Sequence, residues 1–247
     1  RLIALTNVVL VLAANAAGAW MGGRGGAAAG LVAGVAACLA AGLAAGLFNG
    51  AVSVRFRIPS FIVTLGSMMI ARGLALVAAG GQTIGSEVHA PVLAQRLVPI
   101  GLSLAVMAAG HVLLSRTVFG RHVFAVGGNA ETARLCGVRV GRVRVVTFLL
   151  SGLCTGLAGL VFWVRGGTGD PLAGDGLELY AIAAVIVGGT SLTGGRGSNV
   201  GTFLGALIMG VLAYGLLFMR VPTPWQWVII GTVVIVTVLA DRLKRTD

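Results

Sequence analysis

Eight apolar segments, most of them close to the length that crosses a bilayer, constrain this chain more than any other feature. They cover residues 2–19, 27–48, 58–79, 98–114, 145–164, 177–188, 200–219 and 225–240. A hydrocarbon layer of ~30 Å takes about 20 helical residues at 1.5 Å each, with a range of about 17–25. The sixth segment falls short and reads as a half-helix or a broken span. Inside lipid each backbone polar group must pair within its own segment, so the expected fold is all-α, a polytopic transmembrane helical bundle of about eight spans. Composition agrees. The chain is 57% hydrophobic and 10% charged, against about 25% charged in soluble domains. Its mean hydropathy is +0.99. A soluble core of this chain length could not take in so much apolar surface.

The charge pattern orients the spans. Thirteen of the 18 basic residues fall in one set of connections: Arg1, Arg55, Arg57, Arg116, Arg121, Arg134, Arg139, Arg142, Arg144, Arg196, Arg242, Lys244 and Arg245. Arg24, Arg96, Arg165 and Arg220 fall on the other side, and Arg72 lies inside a span. The positive-inside bias makes the first set cytoplasmic, together with the C-terminus and the long loop 115–144. The expected location is a cell membrane, with this face towards the cytoplasm. A net charge of +11 could otherwise point to nucleic acid. Here the arginines sit between apolar runs without interleaved aromatic residues, so they read as orientation signals and contacts to anionic lipid.

Glycine is 40 of 247 residues, about twice the usual ~7% share. Small residues recur at every fourth position through Gly22, Gly26, Gly30, Gly34, Cys38, Gly42, Gly46 and Gly50. The spacing returns at Gly152 and Gly156, and at Gly197, Gly201 and Gly205. Such ridges let helices approach closely, either within one chain or at a dimer face.

Several chemistries lack their residues. None of the seven acidic residues lies deep within a span, whereas proton- or ion-coupled carriers place carboxylates there. His89, His111 and His122 share no ligand spacing, and Cys38, Cys136 and Cys154 form no C-x-x-C pair. The glycine-rich stretch 188–197 fails as a phosphate loop because Gly195 stands where lysine is required. No cofactor or metal is therefore expected on this chain, and no ATP-hydrolysing site of its own.

The most informative stretch is 120–141, GRHVFAVGGNAETARLCGVRVG. Gly127 and Gly128 are expected to break the chain, and Asn129 to cap a helix running from Ala130 to Cys136. Glu131 falls in its first turn, where negative charge suits the helix dipole. Arg134 and Leu135 follow, and Gly137 is placed to close the helix. On these grounds the segment is either a docking helix between two spans or an ordinary ordered loop.

This loop resembles the coupling segment of ribose- and xylose-type permeases of ABC importers. The likeness continues through 173–197 (AGDGLELYAIAAVIVGGTSLTGGRG), 58–66 (IPSFIVTLG), Arg72–Gly73 and 221–226 (VPTPWQ). In order and spacing these stretches cover most of the chain, and the last two are closest to xylose-type members. The resemblance implies a permease subunit translocating a monosaccharide, a pentose such as xylose or ribose. It implies a second permease copy, ATP-binding subunits carrying ATP and magnesium, and an extracytoplasmic sugar-binding protein. The ATPases would receive the helix at Gly127, Gly128, Asn129, Glu131, Arg134, Leu135 and Gly137. An ATPase-independent secondary carrier or channel is the alternative.

Residues 1–247 are then expected to form one transmembrane permease domain, with the coupling loop at 115–144. Two departures from the family's pattern stand out. Family members have two further spans and a glycine-aspartate-rich segment before this point, so the chain reads as lacking its N-terminal spans. The family also often has an acid where Tyr180 stands. Candidates for the pathway or an outer gate are Phe61, Arg72, Gln82, Asp175 and Glu178. Each has a plainer reading. Arg72 would snorkel to the interface, Asp175 and Glu178 would cap a helix, and Trp163 and Trp225 would anchor at the membrane surface rather than stack on sugar.

Overall fold

The computed structural model describes residues 2–21, 23–86, 92–191 and 194–243. They form ten helices: α1 (Leu2–Met21), α2 (Gly23–Phe56), α3 (Ser60–Ala78), α4 (Val92–Arg116), α5 (Val118–Gly128), α6 (Ala130–Leu135), α7 (Val140–Gly166), α8 (Leu177–Val187), α9 (Asn199–Phe218) and α10 (Thr223–Leu243). The only strands among these residues are β1 (Ile84–Gly85) and β2 (Thr168–Gly169). The all-α expectation holds.

Among the described residues, six helices are long and apolar enough to cross a membrane: Leu2–Trp20, Ala29–Phe56, Ser60–Ala78, Arg96–Arg116, Val140–Gly166 and Asn199–Phe218. Eight spans were expected; the apolar stretches of the other two, Leu177–Val187 and Pro224–Thr237, are shorter. At 1.5 Å per residue α8 rises only about 16 Å, consistent with the half-helix reading. The fourth span was expected to begin at Val98, beside Pro99, but α4 already starts at Val92 with Pro99 inside it. Proline removes one helical hydrogen bond without forbidding the helix when packing supports it.

The chain divides into two compact units. The first, Arg1–Val106 and Gly141–Asp175, is built on glycine contacts. A Cβ on Gly30 would stand 2.6 Å from the Ala14 carbonyl oxygen, and one on Gly34 2.8 Å from that of Leu10. Gly42 and Gly46 meet the backbone of Gly152 and Phe148, and Gly156 meets Cys38 and Leu39. The Cys38 thiol donates to the Gly156 carbonyl at 3.1 Å. The glycine ridge of α2 therefore serves contacts within the chain, with α1 along one half and α7 along the other. Gly22 lies outside the described residues, and the surroundings of Gly26 are not described.

These contacts set depths. Gly50 faces Val145 near the start of α7, while Gly42 faces Gly152, so α2 and α7 run antiparallel. Arg55 then shares one end of the unit with Arg142 and Arg144, and Arg165 lies at the other. That division matches the one the charge pattern drew. The Thr6 hydroxyl donates to Thr155 at 3.4 Å, placing the first turns of α1 beside the middle of α7. Arg1, counted with the basic set, lies outside the described residues. Leu10, Val11, Cys38, Trp163 and Val164 form the unit's largest buried cluster. Beyond the helices, Ile84 pairs with Gly169 and Gly85 with Thr168, and the Asn15 amide donates to Gly85 at 3.0 Å.

The second unit, Met107–Val140 and Gly176–Asp247, is centred on α8, α9 and α10. Ala183, Ala184, Met209 and Ile230 are its buried cluster, with Tyr180 and Val187 packed against it. Small side chains let α8 and α9 touch through their backbones, at Gly188 with Gly201 and at Ala184 with Gly205. Asn199 ties α9 to α4 by donating to the Met107 carbonyl at 2.6 Å.

Candidate functional site

Within the second unit, α6 is a six-residue helix closed at both ends. The Asn129 side chain accepts from the backbone N–H of Glu131 and of Thr132, each at 3.0 Å. Gly137 adopts φ +84°. Its N–H donates to Arg134 at 3.0 Å, and that of Val138 donates to Ala133 at 3.0 Å. This pair of bonds is the Schellman closure, which needs a left-handed residue at Gly137. Ala133 is buried, whereas Glu131, Arg134 and Leu135 face outward, Leu135 with 82% of its surface exposed. The Arg134 guanidinium lies 4.0 Å from the Glu131 carboxylate, a pairing so exposed that it contributes little to stability.

The helix expected from Ala130 to Cys136 is thus present, with Cys136 as its C-cap. The expected chain break at Gly127 and Gly128 is not. Both glycines are helical and end α5, an eleven-residue helix within the stretch 115–144 expected as loop. The break falls at Asn129 (φ −153°, ψ 107°), which is at once the C-cap of α5 and the N-cap of α6. The signal for α5 was Thr117, whose hydroxyl accepts from the Gly120 N–H at 3.2 Å. The glycines serve proximity instead: a Cβ on Gly127 would stand 2.7 Å from the backbone nitrogen of Gly195.

In the first unit the structure brings two of the pathway candidates together. The Arg72 guanidinium lies 3.7 Å from the Asp175 carboxylate. They line a shallow recess with Ala4, Pro171, Leu172 and Ala173. Phe61 is on the same helix as Arg72, eleven positions earlier and exposed, about 16 Å along the axis. Gln82 lies in the turn beyond α3, its N–H donating to Ala79 at 3.2 Å. Neither joins the pair.

Glu178 occupies the first turn of α8 in the second unit. The N-cap of α8 is Gly176, at φ +82° and without a side-chain bond, so Asp175 does not cap that helix. Trp163 is a core residue, 2% exposed, and neither anchors at an interface nor stacks on a ligand. Tyr180 packs on the α8–α10 core.

Apolar helices of membrane-crossing length, with a capped helix presented in the connection between two of them, are the make-up of a multi-pass membrane permease. The chain belongs to the family described as branched-chain amino acid transport system / permease component, which matches residues 2–238. It is 41% identical over 205 residues to the probable ABC transporter permease protein YphD of Escherichia coli K12, covering 76% of this chain and 58% of that protein. It is 40% identical over 205 residues to the L-arabinose ABC transporter permease protein AraH of Azospirillum brasilense, covering 81% and 60%. Against the ribose import permease protein RbsC of Bacillus subtilis it is 40% identical over 210 residues, covering 79% and 63%. The chain thus spans about three fifths of the length of these relatives. No solved structure gives a significant match.

Proposed function

We propose that this protein is the membrane-spanning permease subunit of a binding-protein-dependent ABC importer. Its cargo is a monosaccharide, a pentose such as arabinose, ribose or xylose. Partner subunits hydrolyse ATP with magnesium and dock on α6 from the cytoplasm. An extracytoplasmic binding protein delivers the sugar to a pathway formed with a second permease copy. The chain lies in the bacterial inner membrane with its C-terminus inside.

The observation that carries this reading is the build of α6. A six-residue helix is far below the ~12 residues at which an isolated helix becomes marginal in water. It is held by the Asn129 cap, the Gly137 closure and the seating of Ala133. The outward face then presents Glu131, Arg134 and Leu135 in fixed register, as a rigid knob suits a partner's groove. The names of the arabinose and ribose relatives support the choice of cargo.

Cys136 is exposed at the C-cap of α6, which makes the docking directly testable. With Cys154 replaced by alanine, a short reagent with a thiol-reactive group at one end and a photoreactive group at the other should join Cys136 of the full-length protein to its ATPase subunit. Cys136→Ser should abolish the product. No cross-link in an assembled, ATP-hydrolysing complex would overturn the docking role.

A further inference from the structure

We propose that the turn between α8 and α9 is the seat of the coupling helix, and that Gly194 and Gly195 are positioning residues which pass its displacement to α8 and α9. The inference rests on the reading of α6 as the ATPase dock and adds the element behind it.

The contact is backbone on backbone from both sides. A Cβ on Gly194 would stand 2.5 Å from the Gly127 carbonyl oxygen, and one on Gly195 2.6 Å from the Gly128 Cα. Among the described residues, the end of α5 and the turn meet through glycine backbone, with no side chain of Gly127, Gly128, Gly194 or Gly195 to absorb a movement. Asn129, the N-cap of α6, follows directly, and its N–H donates back to Ala125 of α5 at 3.1 Å. The last turn of α5 therefore cannot shift without carrying the start of α6.

The turn itself is closed. The Ser191 N–H donates to the Arg196 carbonyl at 3.0 Å, and the Gly194 N–H to that of Ser191 at 3.2 Å. Gly194 and Gly195 hold φ +91° and +73°, a region that side-chain-bearing residues occupy only at a cost. The Thr190 and Thr202 hydroxyls stand 3.3 Å apart and join the turn to α9. Behind it, Gly188 meets Gly201 and Ala184 meets Gly205, reaching the buried cluster of Ala183, Ala184, Met209 and Ile230. Close-packed elements shift as bodies rather than deforming locally. A push on α6 thus reaches α8 and α9 through the backbone contacts of Gly127 with Gly195, Gly188 with Gly201 and Ala184 with Gly205.

Gly189 supplies a matched control. It has φ +80° on the same turn, and no atom of the described residues lies within 4 Å of where a Cβ would stand. Gly189→Ala and Gly194→Ala carry the same kind of backbone strain, but only the second collides with α5.

The test uses the full-length protein in lipid, with Cys154→Ala and a spin label on Cys136, in parallel with sugar uptake driven by its ATPase. Gly194→Ala should raise label mobility and lower uptake about tenfold, equivalent to about 1.4 kcal/mol of lost coupling. Gly189→Ala should leave mobility as in the parent and uptake within about twofold. Should Gly194→Ala fail to fold, Thr190→Val, which replaces the hydroxyl facing Thr202 with a methyl group of similar size, should raise mobility in the same direction.

Unchanged mobility in a folded Gly194→Ala protein overturns the seat, and so does raised mobility with unaltered uptake. Failure of the Cys136 cross-link, with the mobility result intact, would instead overturn the docking reading.

Discussion

Arg72, on α3, reaches Asp175, just before α8, across 3.7 Å, with about a third of the one side chain and under half of the other exposed (32% and 44%). The pair gives an intraspan arginine a carboxylate partner in place of simple snorkelling. Arg72→Gln and Asp175→Asn should each lower thermal stability in detergent slightly, and the double variant should lie near the singles rather than at their sum. The exchanged pair, Arg72→Asp with Asp175→Arg, should recover uptake that either single loses if the pair shapes the pathway. A pair that serves stability alone would leave uptake untouched in all three.

Asn129 holds two N–H groups of α6 and ends α5 as well. Asn129→Ala should cost about 1 kcal/mol, in line with other N-cap losses. Hydrogen exchange at Glu131 and Thr132 should quicken accordingly, and uptake should fall while the protein remains in the membrane. Asn129→Asp, which keeps the acceptor, should retain most of both.

Ala133→Pro attacks the same helix from within. The Ala133 N–H donates to the Asn129 carbonyl at 3.0 Å, and proline removes it at a cost of ~3 kcal/mol or more. Uptake should be lost with insertion unaffected, because α6 lies outside the spans. Normal uptake in this variant would remove the coupling role from α6.

How much of this was legible beforehand depends on range. The α6 helix was readable because its determinants, Asn129, Glu131 and Gly137, act within one or two turns of their own positions. The α5 helix was not, because Gly127 and Gly128 look like helix breakers when their partner Gly195, some seventy residues on, is out of view. The four-residue glycine spacing of α2 announced close packing but did not name α1 and α7 as the two helices received. The pathway candidates show the same limit. Arg72 and Asp175 proved to be partners, whereas Phe61 and Gln82 share no contact with them. Trp163 misled because a tryptophan near a span's end is more often interfacial, and its burial depends on Leu10 and Val11 of a distant helix.

The glycine contacts divide substitutions sharply. Gly152→Val should lower the melting temperature of the detergent-solubilised protein, since its site meets the Gly42 backbone and overpacking costs about 1–3 kcal/mol or more. Gly210→Ala on α9 meets no atom of the described residues within 4 Å and should be neutral, or stabilising by up to about 1 kcal/mol. Equal effects at the two sites would contradict the packing described for α2 and α7.

Among the described residues, the buried indole N–H of Trp163 has no hydrogen-bond partner, a state that costs about 1–3 kcal/mol. Trp163→Phe should therefore be no less stable than the parent, and Trp163→Ala should lose about 3–5 kcal/mol through the cavity it leaves. Thermal unfolding monitored on the purified protein distinguishes the two.

The most direct test is ATP hydrolysis and sugar uptake by proteoliposomes that hold the full-length permease and its ATPase. A binding protein would be added empty or loaded with arabinose, ribose or xylose. One loaded form should stimulate both activities together, and Ala133→Pro should abolish that stimulation. Uptake by the permease alone, driven by a gradient and indifferent to the ATPase, would contradict the account.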